Sequence, residues 1–514
     1  MNRIRKNVLS TIEIISGKRY ILLSATVLCL LLIKVINGFW VGDFWLHSAV
    51  VREFSLNPFS PTNPFLPVNT QHFYHGPYHW IVGFFAKVFG LSSITALGCM
   101  GLLNFAVFSY SLHLFCRMLN TARHTAFYAL VFSLVLWGEH PWLYSSFFHL
   151  QTIGFCFPYP SFFCIGLALL SFALFIETLQ HNKKFLFLSI IPLSAIVMLS
   201  HTSTSIVLFA GLGIILISNS SLLTVVRNSI KLTVIILCTL GLVYLWPHLS
   251  LFALLSQKTN FVSHYILDDL TLYRDVLAKI WPTLFTVPFI IIRLYKNPKD
   301  TLGLLFLGFS AVYFWGFFTK QWSYGRSIAQ TILIAHIIFA DWFASLKSRS
   351  DIPRDIRYAI AACMIILLLV SMRNLPVTFW SQYRIQKIPE YSNLNFIAEL
   401  THRENIVLTD RYSGILVPSF GGKVVAYDLI YKGQEPFVSD GMGRIKDMEH
   451  FFDEKTSAFD RKQILKKYNV GFVLINRDIT PLHFSLSSFL KDNGSVEYDR
   501  EQYVLFSINR PDTQ

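Results

Sequence analysis

Charge is scarce in this sequence. Asp, Glu, Lys and Arg together make up 14% of its 514 residues, where a soluble globular chain carries roughly a quarter. Cysteine is sparse as well: Cys29, Cys99, Cys116, Cys156, Cys164, Cys238 and Cys363 all lie in or beside apolar stretches, and none follows, so no disulfide or zinc framework is implied. The short sequences that handle soluble nucleotides or build hydrolytic centres are missing too. There is no Walker sequence, no dinucleotide glycine pattern, no Gly-x-Ser-x-Gly elbow and no His-Glu-x-x-His, so a soluble nucleotide donor on the cytoplasmic side is not expected. No repeat of about 20–50 residues is present, which excludes a solenoid.

What is abundant is hydrocarbon, at 53% hydrophobic residues. A membrane span needs about 20 mostly apolar residues, and about eleven stretches qualify: 20–38, 93–117, 124–140, 159–178, 185–200, 203–219, 231–249, 277–294, 301–319, 327–345 and 357–373. The basic start, Arg3-Ile4-Arg5-Lys6 through Lys18-Arg19, looks like a signal-peptide leader. The apolar run from Tyr20 is longer than a leader core and lacks a small-residue cleavage site, so it is read as a retained helix. Basic clusters recur at every second connection: Arg117 and Arg123, Lys183 and Lys184, Arg227 and Lys231, Arg293 to Lys299, Lys347 to Arg357. That alternation puts the amino terminus in the cytoplasm and everything after about Asn374 outside. The net charge of +14 is largely this topology signal, and no nucleic-acid partner is expected.

After Pro389 the composition becomes that of a soluble domain. Asn405–Thr409, Lys423–Tyr427 and Val470–Ile475 read as short buried strands, with helical spacing over Arg444–Phe452 and Ser457–Tyr468, which suggests a small α/β domain. The expected architecture is a polytopic α-helical membrane protein: a transmembrane module over 1–375 with a large first outer loop at 39–92, then an extracytoplasmic α/β domain over 376–514. Pro77 to Phe89 is apolar but too short to span, and suits a helix lying in the interface plane. Asp43 to Phe54 is expected to form a second one.

Polar groups that can do chemistry gather on the outer side. Asp43 stands beside Trp40, Phe44 and Trp45 at the membrane boundary, where partial desolvation raises proton affinity and suits a general base. Asp is also a preferred N-cap, and the two roles can coexist. Arg326 lies where the chain re-enters the bilayer, a position that demands a partner or a purpose. A cation there would stabilise a departing lipid phosphate. Arg274, Lys258 and His264 precede the eighth span, with solvent or headgroup contact as their alternative. Glu139 at the end of the third span is a second acid or a simple interface residue, and His201 lies at the next outer turn. His336 reads as a packed interhelical donor. His47, His72, His75 and His79 lack a nearby carboxylate or thiolate set, so a metal site is not expected. His47, His75 and Tyr78 suit sugar or headgroup contacts better.

These features together resemble the GT-C superfamily, the integral-membrane glycosyltransferases that use polyprenyl-phosphate sugars. The resemblance rests on Gly42-Asp43 in the first outer loop, on Pro77–Gly90 with its Phe-Gly-Leu-Ser exit, and on the many spans that follow. The end of the chain is similar to the outer domain of bacterial members, with Val417-Pro418-Ser419-Phe420-Gly421-Gly422 before a strand, Arg444 leading to Phe451-Phe452, and Ile464–Val470 running into Val473-Leu474. The resemblance implies a base role for Asp43 and a lipid-phosphate role for Arg326. Asp43 is followed by Phe44, where several branches carry a second acid, so a metal-independent enzyme without cofactor is expected. The implied reaction is one displacement with inversion. Asp43 takes the proton of an acceptor hydroxyl, that oxygen attacks the anomeric carbon, and the prenyl phosphate leaves toward Arg326, in a crevice the two side chains share. The implied partners are a polyprenyl-phosphate sugar donor, a glycan or lipid acceptor and membrane lipids, and the implied setting is the bacterial inner membrane. A lipid-linked glycan transporter or flippase and an O-antigen polymerase or ligase are the rival readings.

Overall fold

The structure is a computed structural model that describes residues 2–181, 183, 186–256, 270–373, 383, 390–428, 437–500 and 502–509. The chain divides into two compact units, one formed by 1–37, 98–245 and 266–387 and the other by 38–97, 246–265 and 388–514. The boundary expected at 375/376 lies outside the described residues.

The first ten helices are α1 (Asn2–Asn37), α2 (Phe44–Leu56), α3 (Pro77–Phe89), α4 (Ser93–Met118), α5 (Thr125–Val135), α6 (Leu150–Cys156), α7 (Pro160–His181), α8 (Leu186–Ser200), α9 (Thr202–Ser218) and α10 (Leu222–Tyr244). A helix stands at each of the expected spans, but among the described residues seven are long and apolar enough to cross a membrane. Three shorter apolar helices, α5, α8 and α9, fall below that length. Arg354–Ser371 carries Arg354, Asp355 and Arg357 in its first turn, which removes it from the apolar set.

In the first unit the helix Ser327–Ser345 is the centre. Every residue from Ser327 to Ala340 is buried, as an all-round apolar helix requires. α5, α9 and Thr301–Phe318 pack around it. Polar side chains tie the helices together. Arg293 reaches both oxygens of Asp300 and also Asp341 at 2.6 Å, while Asp341 accepts from the Ala122 amide and the Thr125 hydroxyl. His336 sits against Thr283, at 3.1 Å, and beside the Trp137 ring, as a packed interhelical residue.

The second unit contains a five-stranded sheet of order β2-β1-β3-β5-β4, from β1 (Ile406–Leu408), β2 (Lys423–Val424), β3 (Phe472–Asn476), β4 (Gly494–Asp499) and β5 (Tyr503–Ile508). β1 runs parallel to β2 and β3, and β5 is antiparallel to β3 and β4. The first three strands and the helices Gly441–Phe452 and Ala458–Lys467 fall where their β-branched runs and helical spacing place them. The segment 39–92 folds with this sheet. Phe65 accepts a main-chain bond from Val424 at 2.7 Å and stacks on Tyr427, and α2 packs on the helix Ser413–Phe420, where the Ser419 hydroxyl donates to the Trp45 carbonyl.

α2 and α3 cross at Gly83. A methyl there would meet the Phe54 Cβ at 2.4 Å and the Val51 carbonyl at 2.9 Å, and main chain cannot step aside as a flexible side chain can. Gly83→Ala is therefore expected to destabilise the unit by about 1–3 kcal/mol, the usual range for overpacking. Gly213→Ala, with nothing within 4 Å of the added atom, is the neutral control. A thermal unfolding series in one detergent checks the pair, and equal melting of the two variants refutes the crossing argument.

Candidate active site

Gly42 has φ of +61°, a left-handed conformation that suits glycine. It turns the chain into α2 and leaves Asp43 at the N-cap position, its carbonyl accepting from the His47 amide. The Asp43 side chain makes no capping bond and is exposed. Among the described residues the neighbouring rings do not cover this carboxylate. Trp40 and Phe44 stack face to face at 4.1 Å, Phe44 meets Trp45 edge-on and Trp45 meets Phe420, so the aromatics bury one another.

The histidines form an interior cluster. His47, on the first turn of α2, faces His79 on α3 with Nδ1 and Nε2 2.9 Å apart. The His72 amide donates to His75 Nδ1, and the Tyr74 amide to His72 Nδ1, a pair of bonds that fixes the loop before α3. His248 joins through Phe54, whose ring also faces His75, and Trp246 donates to the His75 carbonyl. His75 is held well below its ordinary pKa, chiefly by burial and then by His72, His79, His248 and Lys423. His79 is held well below it too, by burial and by His47 and His72. These rings are therefore neutral near pH 7. His47, His75 and Tyr78, expected to contact sugar or headgroup, are buried, Tyr78 and His75 completely. They brace the α2–α3 corner from within and present no open face to a substrate. Among the described residues no three His, Cys, Asp or Glu side chains stand close enough to hold a metal ion.

Arg326, at the start of Ser327–Ser345, belongs to the other unit. It is buried, lies over the Trp322 ring at 4.2 Å, and donates through Nη2 to both the carbonyl and the hydroxyl of Ser145. An arginine at such a position needs a partner, and the loop 139–150 provides one. That loop is anchored in turn by Trp142 Nε1 to the Thr271 carbonyl and by Tyr144 to the Thr271 hydroxyl. His201, in the turn between α8 and α9, is held below its usual pKa by burial and by the Arg326 charge, so these two expected site residues come together. Glu139 and Arg274 do not join them. Glu139 is exposed and ion-paired with Arg373, and Arg274 is exposed, with its carbonyl taken by Lys279. Lys258 and His264 lie outside the described residues.

Sequence reasoning missed Ser145, Trp322 and Arg373. The Trp322–Arg326 spacing of one helical turn is a signal that could have found the stack. Nothing local links Glu139 to Arg373.

No protein-family model and no curated protein sequence matches the chain. Solved structures do. The oligosaccharyltransferase AglB of Archaeoglobus fulgidus, in complex with an inhibitory peptide and a dolichol-phosphate, aligns over 96% of this chain and 75% of its own with a TM-score of 0.53 and 12% identity. ArnT of Cupriavidus metallidurans, bound to undecaprenyl phosphate, aligns over 95% of this chain and 97% of its own with a TM-score of 0.54 and 14% identity. This chain shares the fold of these solved structures. The arabinofuranosyltransferase AftD from Mycobacteria extends the likeness, with a TM-score of 0.59 at 12% identity, and this chain spans 96% of itself but 40% of AftD. A further structure of the Archaeoglobus fulgidus enzyme is a complex with Zn and sulfate.

Proposed function

We propose that this chain is a membrane glycosyltransferase. It transfers a sugar from a polyprenyl-phosphate donor to a glycan, lipid or protein acceptor on the extracytoplasmic side of a bacterial inner membrane, with Asp43 as general base and Arg326 at the donor phosphate. The observation that carries the reading is the match with ArnT, which runs over nearly the full length of both chains and involves a protein bound to undecaprenyl phosphate. AglB with its dolichol-phosphate supports the same donor class.

The chemistry assigned to the residues follows from their settings. Asp43 is the accessible carboxylate on the first loop and can take a proton from an acceptor hydroxyl in a single inverting displacement. Arg326 is oriented by Ser145 and Trp322, which suits a guanidinium that meets charge developing on a leaving phosphate. No step requires a metal. The first outer loop and the α/β domain belong to the extracytoplasmic side in this reading, and the amino terminus to the cytoplasm.

Comparing glycans and lipids of membranes with and without the protein tests the proposal. One missing sugar, with polyprenyl-phosphate sugar accumulating, is the expected result. A full set of sugars, with lipid-linked glycan displaced from one leaflet to the other, would sink it in favour of a transporter. Arg326→Lys keeps the charge but loses the planar fork and the stacking. Since a hydrogen bond to a charged group contributes roughly 1.5–3 kcal/mol, the KM for donor is expected to rise about tenfold or more. Steady-state kinetics against donor checks this, and an unchanged KM in a normally folded variant removes Arg326 from the donor site.

A further inference from the structure

A cavity of about 240 Å³ opens within the second unit, walled by Thr62, Val68, Asn69, Arg403, Ile406 and Lys423. Asp43 and the histidine cluster take no part in its lining. We infer that this cavity binds the oxyanion of an acidic sugar, a carboxylate or phosphate carried on a pyranose-sized unit.

The charges around it are unequal. Arg52, Arg403 and Lys423 converge on a single buried carboxylate, Glu53, whose side chain is 4% exposed, and Glu404 stands exposed at the rim. Glu53 is already committed to the frame. Its Oε1 accepts from the Thr62 amide at 2.8 Å, the Thr62 hydroxyl at 3.0 Å and Arg403 Nη2 at 2.9 Å. Lys423 donates to the Thr62 hydroxyl and to the Asn63 carbonyl, both neutral, and lies 4.0 Å from Glu53. A bracket that only joined the loop to β1 and β2 would need one cation for its one acid. Here the cavity wall itself carries two cations, Arg403 and Lys423, against one acid, Glu404 at its rim. Burial lowers the proton affinity of Lys423, and the charges of Arg403 and Arg52 lower it further against the pull of Glu53 and Glu404. An anion entering the cavity relieves that repulsion, and arginine and lysine beside each other supply the fork and the point charge that oxyanions favour.

Size and wall composition narrow the ligand. The volume lies below the roughly 300–1,000 Å³ of sites for drug-sized molecules, which excludes a prenyl chain and leaves room for one sugar unit or a phosphate. Pro67, Val68 and Ile406 give the cavity an apolar side suited to the C–H face of a pyranose. As an acceptor subsite the cavity rests on the transferase reading. As an oxyanion site it does not.

The full chain in detergent micelles, titrated by calorimetry with glucuronate, glucose 6-phosphate, inorganic phosphate and neutral glucose, tests the inference. Saturable binding of glucuronate or of glucose 6-phosphate, with glucose silent, is expected. The two acidic sugars tell a carboxylate ligand from a phosphate one, and tighter binding of inorganic phosphate than of either reduces the cavity to a free-anion site and overturns the sugar assignment. Arg403→Gln should weaken binding at least tenfold. Because Arg403 also holds Glu53, Asn69→Trp provides a second arm, filling the cavity from its exposed wall without touching that carboxylate. It should abolish binding while the melting temperature stays. Absence of saturable binding to the unmodified chain, or undiminished affinity in Asn69→Trp, overturns the inference. Binding without any sugar transfer in membranes would leave the cavity standing and remove the transferase, and transfer without binding would do the reverse.

Discussion

Asp43→Asn is expected to insert, fold and bind donor as the unmodified chain does, and to lose turnover by about 10²–10⁴-fold, the usual contribution of a positioned base. Three features make this a clean substitution. The side chain makes no capping bond that the amide would break, asparagine is as good an N-cap as aspartate, and the left-handed Gly42 that sets the turn is untouched. Retained turnover in Asp43→Asn takes Asp43 out of the mechanism, whatever the fold.

The second large effect is on stability. His75 and His79 are neutral when folded, because burial and neighbouring rings hold their pKa values well below 6.5. Released on unfolding, they take up protons near the ordinary value, so below about pH 6.5 the unfolded chain binds more protons than the folded one. Stability is therefore full above that pH and falls as pH drops toward the folded-state values. Each ring contributes about 1.4 kcal/mol per pH unit in that window, or roughly 2.7 kcal/mol for the pair. Lys423 also acts on His75 and adds to the penalty. Melting temperatures between pH 7.5 and 5.5 should show the fall. His75→Asn with His79→Gln, which keep nitrogen or oxygen near the bonded ring positions, should flatten it. An unchanged slope in the double variant means that other groups carry the acid sensitivity.

Much of the architecture is legible because local chemistry writes it. α3 begins at Pro77, where a missing amide costs nothing, and ends against Gly90 at φ +62°, so both bounds can be read from the chain. The apolar helices and the first three strands are equally local. β4 is not: its edge position leaves Glu497 and Asp499 facing solvent, so Gly494–Asp499 lacks the hydrophobic run that marks a buried strand. Charged edges of this kind also discourage unwanted pairing.

The candidate site was legible only in part. Residue type and position along the chain single out Asp43 and Arg326. Their surroundings come from contacts with no sequence signature, such as Ser145 under Arg326 and Arg373 on Glu139. The histidines are a second case. The sequence reads His47 and His75 as sugar or headgroup contacts, but in the fold His47 faces His79 inside the α2–α3 corner and His248 joins the cluster through Phe54, packing that no local pattern announces.

The bond from Val424 to Phe65 has a consequence for how the protein is made. The strip around Phe65 leaves the ribosome long before β2 exists, and waits with apolar side chains and a bare carbonyl until the far end of the chain arrives. Once docked it acts as a guard along an otherwise open sheet margin. A fragment starting at residue 388 would carry the same sheet unguarded, which is the condition under which such margins recruit a neighbour.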